Sequence, residues 1–254
     1  MDFRVSGDRV SVNVPTWPAL QARVSERLAT GQGFALATLN LDHIVKLRGS
    51  PAFRRVYARM DLVTADGNPI VWMSRLAGRR VELIPGADAI LMLARIAARQ
   101  GVTVALVGST DDTLAGAKAY LEGEVRDLHI VETIAPAMGF DPAGADASRI
   151  FARLDASGAR LCFVALGAPK QEIFAAAGRV QVPGLGFACI GAGLDFFAGT
   201  QRRAPDWARR FALEWLWRMV GSPRRLGMRY LRCLVILPGQ MLRAMVLRFR
   251  SPQH

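Results

Sequence analysis

RLCFVALGAPKQE, residues 160–172, decides the fold. A short run of bulky apolar residues without polar alternation reads as a strand covered on both faces. It stops at Gly167, and Pro169, suited to the first turn of a helix, opens the segment that follows. The same phrase recurs along the chain. A short apolar strand over Phe34–Thr38 ends at Asn40, with helical stretches to Gly49 and from Pro51. A strand over Asp61–Thr64 leads into Ala65-Asp66-Gly67, with Pro69 near the start of the next helix. VTVALVG (102–108) precedes a helix from about Asp111; LHIVET (128–133) precedes the loop APAMGFDPAG and a helix to Ser157; LGFACIG (185–191) ends in a glycine turn.

Short strands alternating with longer helices predict an α/β, Rossmann-like, mainly parallel sheet between helices. A ligand of such a sheet lies beyond the carboxyl ends of its strands, where Thr38, Asp66, Gly108, Gly167 and Gly191 fall. Ahead of it, FRVSGDRVSVNV alternates around Ser6-Gly7-Asp8, predicting a small N-terminal β-hairpin, and Trp17–Thr30 reads as a helix.

The pattern changes near residue 200, dividing the chain into an α/β catalytic domain (1–200) and an Arg-rich amphipathic helical appendage (201–254). Residues 201–254 hold twelve arginines, no lysine and two acids, Asp206 and Glu214, and so carry ten of the net twelve positive charges. That asymmetry points to a polyanionic partner. Helical segments run through Arg218, over Gly227–Leu237 and over Gln240–Phe249, with breaks expected at Pro223 and Pro238. The longest uninterrupted apolar run there, Cys233–Leu237, is far short of the ~20 residues of a bilayer span, so an appendage rather than a transmembrane anchor is expected. Its Trp207, Trp215, Trp217, Tyr230 and interspersed Leu, Met and Val favour an anionic membrane surface over nucleic acid, for which no fold signature is present. Docking of Leu213–Arg218 on the core is compatible with that reading. The opening MDFRVSGDRV is charged and lacks an apolar h-region, so no secretory signal is expected. Cys162, Cys189 and Cys233 show no metal or disulfide spacing and read as reduced core residues.

Several motifs admit two readings. In GAPKQE (167–172) the N–H groups of a helix start could hold a diphosphate beside Lys170; equally, this is a strand–helix connection with a surface Lys-Gln-Glu. Gly191-Ala-Gly193 lacks the third glycine of a dinucleotide fingerprint, Phe196 standing in its place, which argues against a NAD enzyme. Asp195 in this turn is a pocket aspartate or a simple turn or cap residue. Asp66 is an N-cap, an Asp-Gly turn, or a functional carboxylate. Asp111-Asp112 opens a helix, and His43, His129 and His254 are scattered, so no divalent metal and no bound cofactor is expected.

Taken in order, GAPKQE, GAGLDFFAG, QRRAPDW and LEWLWR, between Gly167 and Arg218, resemble the WecG/TagA/CpsF family of bacterial glycosyltransferases. The resemblance extends back to Thr38. It implies that Asp66 is the general base, that Thr38 and Asn40 of ATLNLDH orient hydroxyls, and that Gly67 flanks the base. It places Gly108, Gly167, Pro169, Lys170, Gln171, Glu172 and Asp195 around a UDP-sugar donor. Two departures stand out. Leu83 occupies the place of a usual arginine, so another cation is implied, with Arg202 or Arg203 as candidates; and Gly139-Phe140 replaces a more usual G-Y-F.

The expected activity is inverting transfer of a hexose or N-acetylhexosamine from a UDP-sugar to a polyprenyl-diphosphate-linked saccharide in bacterial surface or exopolysaccharide assembly. The enzyme would sit on the inner face of the cytoplasmic membrane, helix N-termini and arginines stabilising the departing diphosphate. A non-catalytic membrane-associated scaffold is the alternative, and the sequence leaves room for a homo-oligomer.

Overall fold

A computed structural model describes residues 1–199, 204, 205, 208 and 212–250. The chain opens with an antiparallel hairpin, β1 (Asp2–Val5) and β2 (Asp8–Ser11), joined by Ser6-Gly7; Asp8 already pairs with Val5. After α1 (Trp17–Ala29) come β3 (Phe34–Leu39), α2 (Leu41–Gly49), α3 (Pro51–Tyr57), β4 (Leu62–Ala65), α4 (Asn68–Leu76) and α5 (Gly86–Arg99). The second half holds β5 (Val104–Gly108), α6 (Asp111–Glu124), β6 (Ile130–Ile134), α7 (Ala145–Ala156), β7 (Leu161–Ala165), α8 (Lys170–Gln181), β8 (Gly186–Cys189) and α9 (Gly193–Phe197). Two helices close the chain, α10 (Glu214–Gly221) and α11 (Pro223–Arg250).

β3 to β8 form one sheet in the order β4-β3-β8-β7-β5-β6, every neighbouring pair parallel. Alternate residues of each strand feed opposite cores. Ala35, Ala37, Leu39, Val63, Ala65, Val107, Val164 and Phe187 meet the hairpin and helices α2, α3, α4, α7 and α8 on one face. Phe34, Leu36, Leu62, Leu106, Phe163 and Ala188 meet α1, α5, α6 and α9 on the other. Burial on both faces is why these strands read as continuous apolar runs. Residues 86–99, unassigned from the sequence, form α5, although its buried Gly86, Ala89, Ile90, Leu93, Ala94 and Ala97 recur at helical spacing.

The expected break at Pro223 is observed, but the one at Pro238 is not. α11 runs unbroken for 28 residues, about 42 Å at 1.5 Å per residue, with Pro238 inside it. A proline there removes a hydrogen bond, yet Pro238 is on the exposed side while Leu226, Cys233, Gln240 and Ala244 form one buried stripe across it. That stripe docks α11 along α2 and α4. Continuity also alters the membrane reading. Leu226–Phe249 is, by length and composition, long and apolar enough to cross a bilayer (mean hydropathy 1.3). The contiguous-run criterion applied to Cys233–Leu237 misses this because arginines punctuate the segment.

Candidate functional site

With all six strands parallel, their carboxyl ends share one edge. There β3 delivers Asn40, β4 delivers Asp66 and Gly67, β5 delivers Gly108 and Ser109, β7 leads to Gly167, and β8 leads to Gly191. Thr38 pairs in register with Thr64, and its side chain is buried one residue inside the end of β3.

Asn40 and Asp66 are neighbours across β3 and β4. The Asp66 amide donates to the Leu39 carbonyl at 2.7 Å, extending the ladder by one bond. Asn40 caps α2: its Oδ1 accepts from the His43 amide at 3.1 Å, and its Nδ2 donates to Asp66 Oδ2 at 3.3 Å. Asp66 does not cap the following helix. The N-cap of α4 is Gly67, with no side-chain cap bond. Gly67 sits at φ 98°, a left-handed conformation strained for any residue with a Cβ. The simple cap reading of Asp66 therefore falls.

Behind this pair lies a buried polar chain. His43 Nδ1 is 2.8 Å from Asn40 Oδ1, and Nε2 is 3.0 Å from Glu172 Oε1. Both ring nitrogens face oxygens, one of them an amide oxygen that can only accept. The Asn40 backbone amide also points at Nδ1, at 3.4 Å, closing a capping box with His43 at N3. Glu172 Oε1 also accepts from Gln171 Nε2 at 2.8 Å, and Gln171 Oε1 accepts from the Gly191 amide at 3.0 Å. Gln171 and Glu172 are 2% and 0% exposed. The two residues expected around the donor thus lie beneath the edge, tying α8 to α2 and to the end of β8. The Tyr57 phenol beside this chain is pushed well above its ordinary pKa by burial and, secondarily, by Glu172, so it stays protonated.

The entrance to α8 is different. Gly167 and Lys170 are exposed, and Pro169, the N-cap, provides no side-chain cap bond. Lys170 Nζ donates to the Phe140 carbonyl at 3.0 Å, and Lys46 Nζ donates to the Ala168 carbonyl at 2.9 Å while pairing with Asp42 at 2.7 Å. Asp42 also receives Arg229 of α11 at 3.3 Å, so the appendage reaches this edge. α5 likewise starts without a side-chain cap, after Pro85, and its Gly86 lies against the backbone of Ile190: a Cβ there would stand 2.9 Å from the Ile190 oxygen. The starts of α4, α5, α8 and the short α9, all at this edge, therefore lack a side-chain cap from their N-cap residue, the feature that in a full-length helix suits anion binding.

At β5, Gly108 serves packing, since a Cβ would fall 2.5 Å from the Ala165 oxygen. Ser109 Oγ donates to Asp195 Oδ1 at 2.9 Å, anchoring α9 to the strand end. The N-cap of α9 is Ala192, so Asp195 does not cap it. Leu83 is half-buried against the core. Arg202 and Arg203, the proposed substitutes for the missing arginine, and Trp207 lie outside the described residues. Among the described residues no three His, Cys, Asp or Glu side chains gather as a metal-ligand set. The three cysteines are buried and unpaired by disulfides; burial pushes the Cys233 thiol up to about 11 and the other two higher still.

His43 and Lys46 are the residues sequence reasoning missed. The signal was present, in the helical spacing Asp42–Lys46 and in a histidine three places after a capping asparagine, the N3 position of a capping box. The family model described as "Glycosyl transferase WecG/TagA/CpsF family" matches residues 6–252.

Proposed function

We propose that this chain, which belongs to the WecG/TagA/CpsF family of glycosyl transferases, moves a hexose or N-acetylhexosamine from a UDP-sugar to a hydroxyl of a polyprenyl-diphosphate-linked saccharide, with inversion. A glycosyltransferase acts on a sugar donor and a glycan acceptor; the identities of the two and the setting in surface or exopolysaccharide assembly are our reading. Asp66 takes the acceptor proton as the hydroxyl oxygen bonds to the anomeric carbon and the bond to the UDP oxygen breaks. Asn40 holds the carboxylate by its amide, and His43 and Glu172 hold Asn40 as positioning residues. Negative charge growing on the leaving diphosphate meets the uncapped start of α8 at Gly167–Lys170, with Lys170 and Lys46 alongside. Asp195 and Ser109 border the donor side, and Arg202 or Arg203 supplies the cation that Leu83 does not.

The observation that carries this reading is the placement of Asp66: a carboxylate at the carboxyl edge of the parallel sheet, engaged by Asn40 and one residue before Gly67, the N-cap of α4. The apolar outward side of α11, with arginines on its flank, supports peripheral attachment to an anionic membrane rather than to nucleic acid. Sugar-dependent UDP release, assayed with UDP-glucose, UDP-N-acetylmannosamine and UDP-glucuronate in the presence of a lipid-diphosphate acceptor, tests the activity. Asp66→Asn is expected to slow release about 10²–10⁴-fold; release at the wild-type rate would remove the base assignment.

A further inference from the structure

Between α2 and α11 runs a groove of about 620 Å³ whose walls are Val45, Val235 and Ile236 and whose rim carries Arg48, Arg232 and Arg243. Among the described residues no carboxylate lines it. The nearest acid in sequence on α2, Asp42, is already bonded to Lys46 and Arg229. Two of the arginines lie on α11 and the third on α2, so the groove draws its positive charge from two elements, and all three side chains are exposed. From Asn40, Val45 and Arg48 lie about 8–12 Å along α2 at 1.5 Å per residue. The groove is therefore separate from the edge where Asp66 sits.

We infer that this groove binds the phosphate headgroup of an anionic glycerophospholipid, a reading that rests on the membrane attachment proposed above. Charge complementarity selects the headgroup. Guanidinium planes match phosphate oxygens in a bidentate way that an ammonium does not, and a zwitterionic headgroup adds its own cation to three already present, which an anionic headgroup does not. The apolar walls select a lipid over a free anion. Val235 lines the groove and is 73% exposed, joining it to the outward row Leu234, Leu242, Met245 and Val246, along which acyl chains can lie. A lipid seated here fixes α11 in the membrane plane with the carboxyl edge of the sheet at a constant height.

The test separates a built site from a diffuse field. Full-length protein is sedimented with vesicles of phosphatidylglycerol and phosphatidylcholine, comparing Arg48→Lys and Arg243→Lys with Arg224→Lys on exposed α11 surface outside the groove. All three keep their charge. The groove variants are expected to bind about fivefold more weakly, with Arg224→Lys unchanged. Dihexanoyl-phosphatidylglycerol below its micellar concentration is expected to bind the wild type one to one, and inorganic phosphate at equal concentration is not expected to compete. Equal binding by all three variants, or competition by phosphate alone, overturns the groove while leaving membrane attachment intact. Failure of the wild type to bind anionic vesicles at all overturns both.

Discussion

The α/β body and the closing helix pair obey different rules of burial. In the body, strands hide both faces and helices hide one, so nearly every large apolar side chain has a protein partner. In α10 and α11 the order is reversed. Among the described residues sixteen large apolar side chains are exposed, and eleven of them, from Leu216 to Phe249, lie on these two helices. α11 keeps one docked stripe (Leu226, Cys233, Gln240, Ala244) and turns Leu231, Leu234, Val235, Leu242 and Val246 away from it. Folding alone explains the composition of the first region. The second is not explained by folding, and so concentrated a patch marks an interaction surface. The candidate site lies near where the two regions meet, the Arg229–Asp42 contact being two residues along the chain from Asn40.

That contrast can be broken at defined residues. The largest effect on stability is expected in the body: His43→Ala leaves the buried Glu172 with Gln171 alone and should cost about 3–5 kcal/mol in urea unfolding, with UDP release falling as Asn40 is freed. A loss under about 1 kcal/mol would mean the buried chain is not a held unit. Two aspartates introduced two residues apart on α11 sharpen the comparison. Ala244→Asp, on the docked stripe, should cost at least about 2 kcal/mol by burying a charge. Gly67→Ala, which forces a Cβ into a left-handed conformation, should cost about 1–2 kcal/mol with the lesion confined to the start of α4. Leu242→Asp, on the outward face, should change stability by no more than about 0.5 kcal/mol yet weaken vesicle binding. If Leu242→Asp unfolds the protein and Ala244→Asp does not, the assignment of inner and outer faces is reversed.

Legibility in the sequence followed the same division. The strands and their glycine ends could be read because burial on both faces writes itself locally, as in RLCFVALG. α5 carries a comparable signal that went unassigned, since Ala89, Ile90, Leu93, Ala94 and Ala97 recur at helical spacing. Pro238 misled because the proline rule is local, whereas the stripe that holds α11 through it depends on α2 and α4. Gln171 and Glu172 look like surface residues after a helix-opening proline; only the fold sets Glu172 against His43, 129 residues away in sequence. His43 carried a local sign, three places after the capping Asn40, but its pairing with Glu172 is likewise set only by the fold. Asp66 could be singled out, but not separated from a capping aspartate until Gly67 proved to be the cap.

The central claim is that chemistry resides in the body and delivery in α11. The direct measurement is UDP release by Asp66→Asn and by Leu242→Asp, each with a vesicle-embedded lipid-diphosphate acceptor and with a short-chain, water-soluble one. The account predicts that Asp66→Asn loses turnover with both acceptors, while Leu242→Asp loses it only with the embedded one. Wild-type turnover by Asp66→Asn on the soluble acceptor would contradict it.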